Sequence, residues 1–304
     1  MAAERGIAPV AAKELRLNAY AKINLALDVR GRRPDGSLDV ETVLHTLALH
    51  DAITLREDGV GDEPGAIQVQ VDPPAVPEHA RTLPLRAAQM VRDLSGLGRG
   101  VRIEIRKAIP VGVGLGGASA DAAVTLLGLV QMWKVRLDGR GLLSLASRLG
   151  ADVPFLMEGG AALVQNDGQR LQWLPTLPPT WLVLARPRTQ VSTEWAHRAY
   201  DPAQGGARPN IPALVEAMRA GDVPAVGRLV GNVFEELITR THPVVGEIKA
   251  RILAGEAYGA SLSGTGPVVF GLMANEAAAR KTATDLEALP DVEVLVTRTF
   301  AEER

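Results

Sequence analysis

Residues 109–123, IPVGVGLGGASADAA, place Gly112, Gly114, Gly116 and Gly117 within six positions, directly ahead of an alanine-rich run. Ordered glycine loses more backbone entropy than any other residue, so such a cluster implies that something approaches the main chain closely. The preceding VRIEIRKAIP (101–110) alternates as a strand does. SADAAVTLLGLVQMW (119–133) has helical character, with Ser119 as its expected cap and Asp121 complementing the positive end of its dipole. The unit is therefore strand, glycine loop, helix. Free N–H groups in the loop, added to the helix's positive end, form a cradle for an anion, and a phosphate is the expected guest. A plain tight turn is the alternative, and the glycine density weighs against it. Gly112, Gly114 and Gly117 also fit a dinucleotide fingerprint, but that motif needs an acidic strand end about 20 residues on, where this chain is still helical. A P-loop needs Gly-Lys-Ser/Thr, which GGASAD lacks.

Upstream, Leu17, Ala19, Ala21, Ile23, Leu25, Leu27 and Val29 share one parity and predict a half-buried strand over 15–29. Tyr20, Lys22, Asn24, Ala26 and Asp28 fall on its other face, which by itself reads as the solvated side of an antiparallel sheet. GRRPDGS (31–37) is a turn, ETVLHTLAL and DAITLRED are two further strands, and 59–77 is rich in glycine and proline. Helices are predicted over 81–97 and 142–150, the second closed by Gly150, and 151–179 reads as strand and turn, with Asp152 by itself a cap or turn residue. TWLVLARP is a strand, and IPALVEAMRAG, PAVGRLVGNVFEELI and PVVGEIKARILAG are helices. GASLSGTGPVVFGLM (259–273) reads as strand, glycine turn and strand, followed by a helix over 275–288 and the strand VEVLVTRTF. This is a mixed α+β pattern. The chain has 304 residues, 46% of them hydrophobic, more than one core usually needs, so two domains are expected. The cluster Pro175, Pro178, Pro179 divides them into 1–178 and 179–304.

Composition narrows the function. A net charge of −2 with no long basic run gives no general attraction to nucleic acid or to an anionic membrane. The chain has no cysteine, which excludes disulfides and thiol chemistry and suits a reducing cytoplasm. No secretory signal pattern opens the sequence, and no apolar run reaches the roughly eighteen residues of a membrane span. His45, His50, His79, His197 and His242 lack metal-ligand spacing, so no protein metal site is expected. Nothing marks a large exposed apolar face, and a monomer or weak homodimer is expected.

YAKINLALDV, PVGVGLGGASADAA, LGADVPFLMEGGAAL and SLSGTGPVVFGL, in this order, resemble the motif regions of the GHMP kinases, the superfamily of galactokinase, homoserine kinase, mevalonate kinase and phosphomevalonate kinase. GRRPDG, VSTEWAHRAYD and NVFEELI extend the resemblance over nearly the whole chain. It implies a two-domain GHMP kinase fold, with a ribosomal S5 domain 2-like N-terminal domain, a ferredoxin-like C-terminal domain and the active site between them. ATP, carried with Mg²⁺, is implied to bind along Pro110, Gly112, Gly114, Leu115, Gly116, Gly117, Ala118, Ser119 and Ala120, with Ser119 and Asp121 lying where the family contacts phosphate and metal. Asp152 is implied to take the proton of the acceptor hydroxyl, with Lys22 as its counter-charge and as a stabiliser of the transferred group. Asn24 is implied to hold the substrate, and Ser263, Gly264, Thr265 and Gly266 to close over it. The branch resembled most phosphorylates the 2-hydroxyl of a cytidylated methylerythritol in isoprenoid synthesis. There the sequence departs. Where that branch has tyrosine and histidine to grip the cytidine, this chain has Ser37 and Leu38, and the aromatic residue that the branch has near His197 to stack on the cytosine is missing, leaving the His197 imidazole or Trp195 to do so. Either the pocket is rebuilt, or the acceptor is another small or phosphorylated alcohol; a non-catalytic ATP-binding module is disfavoured by the presence of both Lys22 and Asp152.

Overall fold

Two long strands set the frame: β1 (Glu14–Arg32) and β2 (Leu38–Arg56), 19 residues each and paired antiparallel. The structure, a computed structural model, describes residues 14–57, 65–74, 76, 78–96, 98–166, 168–202 and 207–300. Residues 59–64, 75 and 77 of the expected glycine- and proline-rich stretch at 59–77 therefore lie outside the described residues. ETVLHTLAL and DAITLRED are one strand, not two, because His50 and Asp51 stay paired with Tyr20 and Ala19 across the junction.

The chain continues through β3 (Ile67–Asp72), α1 (His79–Ser95), β4 (Val101–Arg106), α2 (Gly117–Met132), α3 (Gly139–Leu149), α4 (Val153–Glu158), β5 (Ala161–Gln165) and β6 (Arg170–Leu174). Next come β7 (Trp181–Pro187), α5 (Thr193–Ala199), α6 (Ile211–Arg219), α7 (Val223–Leu229), β8 (Gly231–Asn232), α8 (Glu235–Thr241) and α9 (Pro243–Ala254). It finishes with β9 (Ala257–Leu262), β10 (Val269–Met273), α10 (Glu276–Glu287) and β11 (Val292–Arg298). One sheet has the order β3-β4-β2-β1-β8, with β5 added to β2 and β6 to β5; the other is β11-β7-β10-β9.

Period-two alternation distributes the cores. Leu182 and Leu184 of β7 join Ile23, Leu25, Val43 and Leu47 in a core between the sheets. Val183 and Ala185 instead join Ile248, Ile252 and Leu286 of α9 and α10. Ile53, Leu55, Ile103 and Ile105 pack with Ala88, Leu126, Leu129 and Phe155 under α1, α2 and α4. With cover on both sides, the centre of β1 has no solvated face. Lys22, Asn24 and Asp28 are all buried, contrary to the half-buried expectation. The strict parity also breaks. Between Asn24↔Leu44 and Ala26↔Val43 the first strand carries one extra residue, so Leu25 and Ala26 both enter the same core.

Two further differences have local causes. Residues 153–158, expected as strand and turn, form the short helix α4, which Pro154 in its first turn preorganises. PAVGRLVGNVFEELI is not one helix but α7, β8 and α8, because Gly231 and Asn232 extend to pair in parallel with Ala26 and Leu27 of β1. Past β11, the chain returns to the first sheet. Thr299 bridges Leu47, the Phe300 N–H donates to the Thr46 carbonyl (3.0 Å), and the Thr46 hydroxyl donates to the Phe300 carbonyl (2.6 Å).

Candidate active site

The glycine loop leads into α2 through Gly116, which is the N-cap residue in the left-handed conformation (φ 73°) and offers no capping side chain. Ser119 is thus inside the first turn and not the expected cap. The reason is space: a Cβ at Gly116 would lie 3.0 Å from Cγ of Lys22, so only glycine lets the loop pass the lysine stem. The Ala120 N–H closes the first turn on the Gly116 carbonyl (2.8 Å), and the N–H groups of Gly117, Ala118 and Ser119 have no acceptor within the helix. These free N–H groups lie where the sequence predicts an anion cradle. Gly114 (φ 90°) touches the turn between β9 and β10: its carbonyl accepts from the Ser263 hydroxyl at 2.9 Å. Ser263 is fully buried, so its hydroxyl joins the two lobes of the cleft instead of facing a ligand. Leu115 is likewise buried, and its carbonyl accepts from the Lys22 N–H (3.0 Å).

Lys22 and Asn24 project from β1 beside this loop. The Lys22 ammonium donates to Asn24 Oδ1 (2.7 Å) and lies 3.5 Å from Oδ2 of Asp152. Asn24 Nδ2 donates to the Thr42 hydroxyl (2.8 Å), which itself donates to the Ala26 carbonyl (2.6 Å), so the amide orientation is fixed. Asp152 occupies the N-cap position of α4 but makes no capping bond, and its side chain is one-third exposed, with relative accessibility 33%. The plain cap explanation for this residue therefore fails. Its carboxylate faces the cleft beside a buried ammonium.

The cleft has a volume of about 450 Å³ and is lined by Lys22, Asn24, Gly114, Ser119, Asp152, Gly264 and Thr265 toward the loop. Ser37, Leu38, Val40, Val164, His197 and Phe234 line its far side. Gly266 (φ 83°) completes the turn below Gly264. His197 stacks on Phe234 with ring centroids 5.5 Å apart and planes 13° from parallel. Phe234 itself is fully buried, so the imidazole is the ring face presented to the cleft. Burial, aided by the nearby Arg32 guanidinium, holds the His197 pKa below its usual value, which keeps the ring neutral at pH 7. Trp195 is not brought to the cleft. Its ring instead meets His242 edge-on at 6.4 Å.

Three participants were not legible in the sequence. Thr42 orients Asn24, Phe234 backs His197, and Asn232 Nδ2 donates to the carbonyls of Leu262 (2.9 Å) and Gly264 (2.7 Å), fixing the second-lobe turn. Asp121 does not reach the cleft. It is buried under the loop, where Lys107 bridges Asp121 Oδ2 (2.7 Å) and Asp51 Oδ2 (2.5 Å). Asp51 Oδ1 accepts the N–H groups of Ala108 (2.6 Å) and Ile109 (2.8 Å), which anchors the strand exit feeding the loop. Burial pushes the Asp121 carboxyl up to about 7 against the pull of the Lys107 ammonium, and burial of Lys107 is outweighed by Asp121 and Asp51, so its pKa is raised. Among the described residues, no cluster of three His, Asp, Glu or Cys side chains is able to hold a metal. No helix among them is long and apolar enough to cross a membrane.

In sequence and in fold the chain is similar to known kinases. The GHMP kinases N terminal domain matches residues 82–160, and the GHMP kinases C terminal domain matches 214–290. The chain is 41% identical to the 4-diphosphocytidyl-2-C-methyl-D-erythritol kinase of Pelotomaculum thermopropionicum, over 93% of this chain and 96% of that one. It is 39% identical to the enzyme of the same name from Alkaliphilus metalliredigens, over 91% and 94% of the two chains. A crystal structure of 4-(cytidine 5'-diphospho)-2C-methyl-D-erythritol kinase superposes with a TM-score of 0.78 at 33% identity, covering 94% of this chain and all (100%) of that one. Homoserine kinase from Cytophaga hutchinsonii shares the fold, with a TM-score of 0.71 at 20% identity, over 97% and 96%.

Proposed function

The chain belongs to the GHMP kinases, and from that membership we propose that it transfers the γ-phosphoryl group of ATP to the 2-hydroxyl of 4-diphosphocytidyl-2-C-methyl-D-erythritol, a step of the methylerythritol phosphate route to isoprenoids. The observation that carries the reading is the pairing of Asp152 with Lys22 at 3.5 Å, in the same cleft as Ser119 and the glycine loop. The triphosphate lies along Gly112–Ser119, where the N–H groups of Gly117, Ala118 and Ser119 are free to face its charge and where glycine at 114 and 116 lets the loop pack against Ser263 and the Lys22 stem. Asp152 accepts the proton of the acceptor hydroxyl as that oxygen bonds to the γ-phosphorus and the bond to the β-phosphate bridge breaks, releasing ADP. Lys22 lies close enough to balance charge on the equatorial oxygens. This is catalysis by positioning and electrostatics, as phosphoryl transfer requires. Mg²⁺ would suit this lining: the Ser119 hydroxyl would offer it one oxygen, the rest coming from water and the phosphates, as suits an ion that keeps most of its waters. When bound, it neutralises charge on the β- and γ-phosphates. On the acceptor side, the neutral His197 ring offers the stacking face for the cytosine.

The same reading makes the protein cytoplasmic, a monomer or weak homodimer, with its two domains dividing after Pro178. Ser37 and Leu38 favour a second reading, a different alcohol acceptor, because neither side chain stacks on a base. ADP release from MgATP, measured with the cytidylated alcohol and with cytidine-free alcohols such as homoserine and mevalonate, separates them. Selective turnover of the cytidylated substrate supports the proposal. Turnover only of another alcohol, or none at all, overturns it.

A further inference from the structure

The far side of the cleft is built from two segments that share no sheet. One is the 33–37 turn between β1 and β2, which carries Ser37 into the cleft; the other is α5, which carries His197. One side chain ties them together by hydrogen bonds, Arg32. Arg32 Nη1 donates to the Gly36 carbonyl (3.0 Å), and Nη2 donates to the carbonyls of His197 (3.0 Å) and Tyr200 (2.7 Å). We propose that Arg32 is a positioning residue for the acceptor, a clamp that holds α5 against the turn and so fixes the His197 ring at the width the acceptor needs.

The leverage of this contact follows from how little else holds α5. The helix has 7 residues, too few to persist unaided, and Ala196 is its one fully buried side chain. Its N-terminus is capped by Ser192, whose hydroxyl accepts from the Trp195 N–H at 3.3 Å. Its last-turn carbonyls have no helical donors, and the guanidinium supplies donors and a charge of the sign that a helix C-terminus favours. The other ties of α5 are the Thr193–Thr265 hydroxyl contact (3.1 Å) at the N-terminal end, core packing of Ala196 and Tyr200 with Leu38 and Val191, and ring contacts of His197 and Tyr200 with Phe234. None of the three Arg32 contacts involves Lys22, Asp152 or the glycine loop. The clamp therefore bears on acceptor affinity and leaves the transfer step alone.

This inference rests on the acceptor occupying the His197 side of the cleft. The test uses Arg32→Ala and Arg32→Lys in the full-length enzyme. With the cytidylated alcohol, Arg32→Ala raises the acceptor KM about tenfold, as expected for losing a set of charged hydrogen bonds, while kcat stays within about twofold and the ATP KM is unchanged. Arg32→Lys, which keeps the charge but not the fork, recovers part of the loss. Amide hydrogen exchange over 193–200 in the ligand-free protein is faster in Arg32→Ala than in the parent, a readout that needs no substrate. Unchanged exchange there, or equal movement of both KM values, overturns the clamp. Absence of turnover of the cytidylated alcohol by the parent enzyme sinks the functional reading instead, and the exchange result stands apart from it.

Discussion

Substituting alanine at Gly114 separates the cost of a strained backbone from the cost of a blocked joint. Gly114 has φ 90°, where an L-residue costs about 1–2 kcal/mol. The added Cβ would also lie 2.1 Å from the Ser263 carbonyl oxygen and 2.9 Å from its carbon, both backbone atoms with no rotamer to escape into. Relief requires the loop and the second-lobe turn to part by roughly 1 Å, a displacement able to cost about 10²-fold in rate when it misplaces reacting groups. It also stretches the Ser263–Gly114 hydrogen bond of 2.9 Å. Gly221→Ala is the control, since φ is 66° there and nothing lies within 4 Å of the added methyl. In urea titrations both variants lose about 1–2 kcal/mol to the backbone term, with a further loss in Gly114→Ala alone. In steady-state assays kcat/KM falls about 10²-fold for Gly114→Ala and not for Gly221→Ala. A Gly114→Ala enzyme within threefold of the parent would refute the idea that the two lobes meet rigidly at this glycine.

Asp152→Asn keeps the shape of the cleft and removes the proton acceptor; calorimetry should show ATP binding retained while turnover drops by about two orders of magnitude or more, and near-parent turnover would remove Asp152 from its role. Lys107→Met leaves Asp51 and Asp121 facing each other without a cation, and a loss of about 3–5 kcal/mol in urea stability is expected. A change below 1 kcal/mol would show that the triad is not an ion-pair cluster in solution. His45 is fully buried, accepts from the Leu177 N–H at Nε2 (3.0 Å), and has its pKa lowered from 6.5 to about 4 by burial. The unfolded chain thus binds this proton first: the contribution is complete above pH 6.5, declines as pH falls and is lost by about 4, amounting to about 3 kcal/mol. His45→Asn should flatten that part of the stability profile between pH 7 and 4.5, and an unaltered slope would exclude His45 as its source.

How much of this was legible depended on whether one segment sufficed to encode it. The loop and α2 were readable because glycine density and helix composition act locally, as was the end of α1 at Gly96, which takes the left-handed conformation at φ 61°. Lys22 and Asp152 were identified only through resemblance, since alone they read as a solvated face and a cap. What made them a pair is the cover on both sides of β1 and the unused cap position of α4, neither visible in any single window. Ser119 falls inside the first turn and not at the cap because the helix starts from Gly116, three residues earlier, in the left-handed conformation that glycine permits. The break of 224–238 into α7, β8 and α8 arises from pairing with β1 about two hundred residues upstream, which helical periodicity does not report. Phe234 and Arg32 were invisible for the same reason: each acts on α5 across the cleft.

The return of the chain to β2 has a bearing on biosynthesis. Thr46 is the cross-strand partner of Lys22, and its hydroxyl bonds a residue 254 positions further on. The strand position opposite Lys22 is thus tied down by the last described residue, Phe300. A contact of that span closes slowly and late. During synthesis the β1–β2 pair is therefore complete in sequence long before residue 300 exists, and the Thr46–Phe300 contact is among the last that the described chain is able to make.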